Sequence, residues 1–171
     1  HDKFYEQFED GGDSYMAITP KTIGELKDCR FYVPSYQRGY RWTKHEVTAL
    51  LDDICEFSTE GGKQYCLQPL LVKQREDDSF EVVDGQQRLT TIYIFMKIAE
   101  QEIRSAVPPF EIEYETRKES AEFLKSLSDK VNLDKGKNID FYHIAFAYEE
   151  INNWLNKQDD KSVAIQELNT K

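Results

Sequence analysis

The sequence predicts an α+β domain, and three patterns carry that expectation. Apolar residues recur at helical spacing over 47–54, 89–103 and 144–155. Two strand-like runs, about 65–74 and 80–83, flank the polar turn Glu76-Asp77-Asp78-Ser79 and read as a hairpin. Shorter strand-like runs at 30–33 and 110–114 lie between helical stretches. The chain of 171 residues and 20.1 kDa, 39% hydrophobic, suffices for one domain with its own core.

Taken in order, Thr19-Pro20 predicts a short helix with Thr19 as N-cap, Pro20 at the first helical position, and Ile23 and Leu26 as its apolar face. Arg30-Phe31-Tyr32-Val33 reads as a strand stopped by Pro34, and 35–42 as a loop. Thr43-Lys44-His45-Glu46 is a capping box opening a helix to about Phe57, with Val47, Leu50, Leu51 and Ile54 inward. Pro69, in the first hairpin strand, points to a bulge or an edge. The second strand leads into Asp84-Gly85-Gln86-Gln87-Arg88 and a long helix carrying Leu89, Ile92, Phe95, Met96, Ala99 and Ile103, which Pro108-Pro109 stops. After the strand at 110–114, Thr116-x-x-Glu119 reads as a second capping box with a helix to about Leu127. A polar loop at 128–139 then precedes a last helix at about 140–157, with Ile144, Tyr148, Ile151 and Leu155 on one stripe. The expected organisation is an acidic leader at 1–19, an α/β core at 20–107 and a mostly helical extension at 108–171.

The net charge of −10 excludes a uniformly basic nucleic-acid binder, but leaves room for a local basic site. Residues 1–15 hold five acids and one base, Lys3. Residues 30–44 hold Arg30, Arg38, Arg41 and Lys44 with no acid, interleaved with five aromatics. No run approaches the roughly 18 apolar residues of a membrane span, and the acidic, aromatic beginning has no signal-peptide pattern. Cys29, Cys55 and Cys66 make neither a Cys-x-x-Cys pair nor an even set, so reduced cytoplasmic thiols are expected. The three histidines are scattered, so no structural metal is expected. P-loop and Gly-x-Ser-x-Gly motifs are missing from the sequence.

The strand-to-helix junction 84–88 is the first candidate site. A helix N-terminus presents unpaired N–H groups and partial positive charge to an anion. Gly85 permits close backbone approach, Arg88 offers a forked cation, Gln86 and Gln87 can orient water or read a base edge, and Asp84 can hold a divalent cation. A purely structural reading stands beside it, with Asp84 as N-cap and Gln87 as its capping-box partner.

The second candidate is the loop Pro34 to Trp42, where arginines between aromatic rings suit a nucleotide or a nucleic-acid strand. Arg38, between two tyrosines with no acid nearby, points to function, whereas Trp42 before the Thr43 cap reads as a packing plug. The third is Tyr114-Glu115-Thr116-Arg117. An arginine at a helix start opposes the dipole, which an anion would offset, although exposed arginines are also common. His45 and His143 read as helix-surface or packing residues.

Val33-Pro34-x-Tyr36-Gln37-Arg38-x-Tyr40-x-Trp42, followed about fifty residues on by Asp84-Gly85-Gln86-Gln87-Arg88-Leu89-Thr90-Thr91, resembles the N-terminal domain of GmrSD-type restriction proteins. Tyr114-Glu115-Thr116-Arg117-x-Glu119-Ser120 is similar to the family less sharply, and the resemblance spans about 20–157. It implies a ParB/sulfiredoxin-like small mixed sheet with packed helices and a nucleoside-triphosphate pocket at the Asp-Gly-Gln-Gln-Arg turn. It also implies a role in defence against foreign or modified DNA, with nucleotide hydrolysis or nuclease activity. A separate C-terminal HNH-type nuclease domain is implied, making this chain an N-terminal fragment of a longer protein. Gln68 departs from the family, whose members commonly have glycine there, and would narrow the pocket.

On that resemblance Arg38 and Arg88 are assigned to phosphates, and Gln86 and Gln87 to water or a phosphate oxygen. Asp84 is assigned to Mg2+ or to orienting Arg38. Tyr36 and Tyr40 are assigned to base or sugar, with Gln37, Gly85 and Arg117 completing the nucleotide-binding set. GTP or ATP with Mg2+ is the expected ligand, and a non-catalytic DNA-binding module or a ParB-like nuclease the alternative.

Overall fold

The computed structural model describes residues 5–18, 26–59, 69–102, 109–127, 138–158 and 160. In chain order these form β1 (Tyr5–Asp10), β2 (Asp13–Ile18), β3 (Arg30–Val33), α1 (Lys44–Thr59), β4 (Leu70–Gln74), β5 (Phe80–Asp84), α2 (Gln86–Glu102), β6 (Glu111–Tyr114), α3 (Lys118–Lys125) and α4 (Ile139–Asn156). The six strands form one mixed sheet in the order β1-β2-β4-β5-β3-β6. The meander β1-β2-β4-β5 is antiparallel, while β3 lies parallel to both β5 and β6. This is the α+β class the sequence predicts.

The first hairpin follows from turn chemistry. Gly11 and Gly12 both have positive φ, +59° and +87°, and connect Asp10 to Asp13 in a two-residue loop. Such turns need left-handed backbone at both positions, which glycine supplies without Cβ strain. The sequence reading assigns no strand before residue 30. In the structure the acidic residues of 5–18 are the edge of the sheet, and β2 pairs with β4 through Met16↔Val72 and Ile18↔Leu70. The segment after 108 shares the sheet too, because β6 pairs with β3 from Arg30↔Glu111 to Val33↔Tyr114.

Strand burial alternates as the pleat requires. Met16, Ile18, Phe31, Val33, Leu70, Val72, Val82, Ile112 and Tyr114 are buried. Phe31 meets Phe110 edge-on at 5.2 Å, and Phe110 meets Tyr93 of α2 at 5.5 Å, which ties the sheet to that helix. The hairpin β4–β5 has a register irregularity at Leu71/Val72, close to Pro69.

Helix α2 is the central one. Its buried residues run unbroken from Leu89 to Met96 and include Ile98 and Ala99, so it is buried nearly all round rather than along one stripe. It packs against α3 and α4, and α4 also packs on α1. Trp154 donates from Nε1 to Asp52 at 2.8 Å across the α1–α4 contact. The expected stripe of α4, Ile144, Tyr148, Ile151 and Leu155, is buried.

One of the expected caps forms and another does not. Thr43 and Glu46 form their box, with Thr43 N–H donating to Glu46 at 3.0 Å. Thr116 caps nothing: α3 starts one residue later, with Arg117 at the N-cap position and no side-chain capping bond. Asn138 caps α4 by accepting from Phe141 N–H at 2.9 Å. The helix expected at Thr19-Pro20, the residues Cys66 and Gln68, and most of the 128–139 loop lie outside the described residues. Among the described residues no helix is long and apolar enough to cross a membrane.

Candidate functional site

β5 ends at Asp84, and α2 begins two residues later. Gly85 makes the corner at φ +99°, where a side chain is strained, and its carbonyl accepts the first bond of α2, from Leu89 N–H at 2.9 Å. Gly85 is therefore the N-cap residue. Asp84 is not, and Gln87 does not act as its capping-box partner. The Asp84 carboxylate is left exposed at the mouth of the corner. A Cβ on Gly85 would also lie 2.6 Å from Leu70 Cδ2, so the corner is closed sterically as well as torsionally.

The loop 34–42 lies against this corner. Gln37 donates to Val83 O at 2.9 Å, which fastens the loop to β5. Gln86 is buried and donates to Arg38 O at 2.7 Å. Gln87 donates to Gly39 O at 3.0 Å and accepts from Arg41 N–H at 2.8 Å, pairing with the loop as a backbone strand would. The two glutamines expected to orient water thus hold loop backbone instead: their amide nitrogens are engaged on carbonyls, and the physical reason is that an unpaired loop carbonyl beside a buried helix start would be left unsatisfied.

Between loop and corner is a cleft of about 400 Å³, lined by Gln37, Arg38, Trp42 and residues 84–88. Arg38 is exposed, and its guanidinium makes no hydrogen bond or ion pair with a described residue. Arg88 enters from the helix side and donates to Pro69 O at 3.1 Å. The first-turn N–H groups of α2 belong to the same wall. Two arginines against the single carboxylate of Asp84 make this wall locally cationic in a chain of net charge −10. Trp42 is half-buried against the core and lines the cleft too, so it does more than plug.

Three expected ligand contacts are elsewhere. Tyr40 is 1% exposed and its hydroxyl pairs with Thr91 at 2.8 Å, because a ring that large on the inward side of the loop fills the core. Tyr36, two residues before Arg38, is 68% exposed and not in the cleft wall. Arg117 also lies away from the cleft: it pairs with Asp140 of α4 at 2.6 Å. Arg41 binds the other oxygen of Asp140, also at 2.6 Å, while Ser120 donates at 3.2 Å to the oxygen that Arg117 holds. Asp140, whose side chain is 7% exposed, has no signal in the sequence beyond an acid in the first turn of a helix. Burial pushes its carboxyl up, but hydrogen bonds and charge from Arg41 and Arg117 outweigh burial and hold it below the usual carboxylate range.

The basic window 30–44 is thereby divided. Arg41 pairs with Asp140, Lys44 reaches Glu150 at 4.0 Å, and Arg30 donates to Asp77 O, which leaves Arg38 facing the cleft. A second cleft, of about 280 Å³, has Arg75 stacked 3.8 Å over Tyr32. Its four cations Arg30, Arg75, Lys118 and Lys125 face four acids, Asp77, Glu111, Glu113 and Glu122, so it lacks the cationic excess of the first. Burial, with Asp28 beside it, pushes the Cys29 thiol up to about 11, so it stays protonated at neutral pH and is a poor nucleophile. Burial and then the Arg41 charge hold His143 below the usual imidazole value.

The cleft therefore joins the two motifs that lie fifty residues apart in the sequence. A comparison with protein families matches residues 20–170 to the GmrSD restriction endonuclease, N-terminal domain. The chain belongs to that family. A search of curated proteins finds no match. As a GmrSD N-terminal domain the chain is part of a restriction and defence protein of bacterial type. Both junctions singled out in the sequence fall inside the matched span, and so do all ten residues expected to form the site.

Proposed function

We propose that this GmrSD N-terminal domain binds a nucleoside triphosphate, GTP or ATP, in the cleft between loop 34–42 and the start of α2, and that the nucleotide regulates restriction of foreign or modified DNA. The observation that carries the reading is the anion-ready wall: the first turn of α2, the corner Gly85, and Arg38 and Arg88 on opposite sides. A cleft of about 400 Å³ suits a small ligand. Arg38 and Arg88 take phosphate oxygens, and the N–H groups of residues 86–88 add neutral donors. Trp42 offers a ring face at the same wall.

Mg2+ fits this donor set in one way. Asp84 is a single carboxylate, and Mg2+ on a nucleotide takes one or two protein carboxylates and fills its remaining positions with phosphate oxygens and water. Asp84 would hold it, and the ion would supply charge neutralisation on the phosphates. Hydrolysis, in this reading, rests on positioning and charge stabilisation by Arg38, Arg88 and the helix start. The longer protein supplies DNA contacts and an HNH-type nuclease domain.

Calorimetric titration of GTP, ATP and CTP with Mg2+ tests the reading. Micromolar binding by the wild type is expected. Arg38→Ala and Arg88→Ala should each weaken it by roughly tenfold or more, as loss of a charge-assisted hydrogen bond does. A folded wild-type domain that binds none of the three nucleotides would sink the proposal. Salt-sensitive DNA binding lost in Arg38→Ala would then identify the anion as a backbone phosphate.

A further inference from the structure

We infer that Asp140 is a positioning residue of the cleft: it fixes the loop that carries Arg38, although it lies on α4 and touches no cleft residue other than through that loop. Its place in the cleft's function rests on the nucleotide reading; its grip on the loop does not.

Gly39 lies against α4. Its backbone runs so close to α4 that a Cβ there would overlap the Asp140 carboxylate and come within 2.9 Å of the Arg41 guanidinium. The residue after the next tyrosine, Arg41, then turns its guanidinium back to bridge Asp140 Oδ1 and the carbonyl of Tyr40, at 2.6 and 2.7 Å. Asp140 thus binds the loop both by contact and by charge. Its other oxygen is held by Arg117 and Ser120 of the α3 region, so the carboxylate cannot follow the loop if the loop moves. On the opposite side Gln86 and Gln87 hold the carbonyls of Arg38 and Gly39. Arg38 stands between these two clamps, with its own guanidinium anchored to nothing described. Its backbone carries the whole of its placement, and a displacement of about 1 Å is enough to impair a charged contact.

A bland reading competes. An acid in the first turn of a helix interacts favourably with the dipole, and removing one partner of a buried ion pair destabilises a fold whatever its function. That role predicts a global effect, or one centred on α4. Positioning predicts an effect centred on 35–42.

Hydrogen exchange separates the two without any ligand. In Asp140→Asn, exchange in the peptide 35–42, above all at the Arg41 amide bonded to Gln87, should quicken roughly tenfold or more while the α2 core stays protected. Gly39→Ala attacks the same contact from the loop side and should give the same local pattern; it also serves if Asp140→Asn does not fold. Unchanged exchange over 35–42, or a uniform rise across the domain, in the folded variants overturns the inference. With nucleotide, a double-mutant cycle adds a second reading. Asp140→Asn should weaken binding in the wild type but have little effect in Arg38→Ala, whereas additive losses would overturn the link to Arg38. A wild type that binds no nucleotide removes the proposed function, and the exchange result still decides the loop contact.

Discussion

The molecule has two strand-to-helix junctions that look alike in sequence and end differently. β5 runs into α2 through Asp84-Gly85 with Arg88 in the first turn, and β6 runs into α3 through Glu115-Thr116 with Arg117 at its start. At the first junction a positive-φ glycine caps the helix and a cleft remains in front of it. At the second, α4 packs over the turn and Asp140 takes Arg117. Glu115 turns the other way, accepting from Ser35 N–H at 2.6 Å. The first junction is open and the second holds in place the loop that faces the first. An arginine at a helix start is therefore a signal for an anion, and whether that anion is a ligand or a carboxylate of the same chain depends on what packs above it.

The largest expected effect breaks the open junction. Gly85→Ala forces a Cβ into left-handed backbone and against Leu70, and should destabilise the domain by about 2–4 kcal/mol in urea unfolding, the sum of strain and overpacking. A loss under about 0.5 kcal/mol would mean that the corner relaxes, since that is the range of an ordinary surface change.

Next comes the closed junction. Arg117→Ala removes one charge-assisted bond from Asp140 but leaves Arg41 and Ser120 in place, so about 1–2 kcal/mol is expected, with a changed urea midpoint and unchanged slope. Arg38→Ala, in contrast, should leave stability within about 0.5 kcal/mol, because its guanidinium has no described partner. Equal losses in the two variants would erase the distinction between the junctions.

The smallest effect is on pH. The folded-state carboxyl of Asp140 titrates below its unfolded value, so its contribution is complete above about pH 5 and disappears as pH falls through the lowered value. Wild-type stability should therefore drop more steeply than that of Asp140→Asn between about pH 5 and pH 3. Parallel curves would show that the two arginines do not hold the carboxylate in solution.

Much of this fold was legible. Helical spacing located α1, α2 and α4, and the run 30–33 with its following proline located β3. The first hairpin is less legible: Gly11-Gly12 between aromatic-rich runs is a two-residue turn signal, but the density of acids around it reads as a leader. The motifs at 34–42 and 84–88 were found as separate candidates, and they do face one cleft. The inward turn of Tyr40 and the capture of both glutamines by loop carbonyls were not visible, since each depends on a partner 46–51 residues away.

By itself, then, the sequence determined the α+β class, the helix starts governed by short-range caps such as Thr43–Glu46, and the two residue clusters that line the cleft. Those features depend on neighbours within a turn or two, which local spacing records. The strand order, the identity of the true cap at Gly85 and the pairing of Arg41 and Arg117 with Asp140 were decided only by tertiary structure. Asp140 lies 99 residues from Arg41, and no local pattern can announce a partner that packing brings from that far.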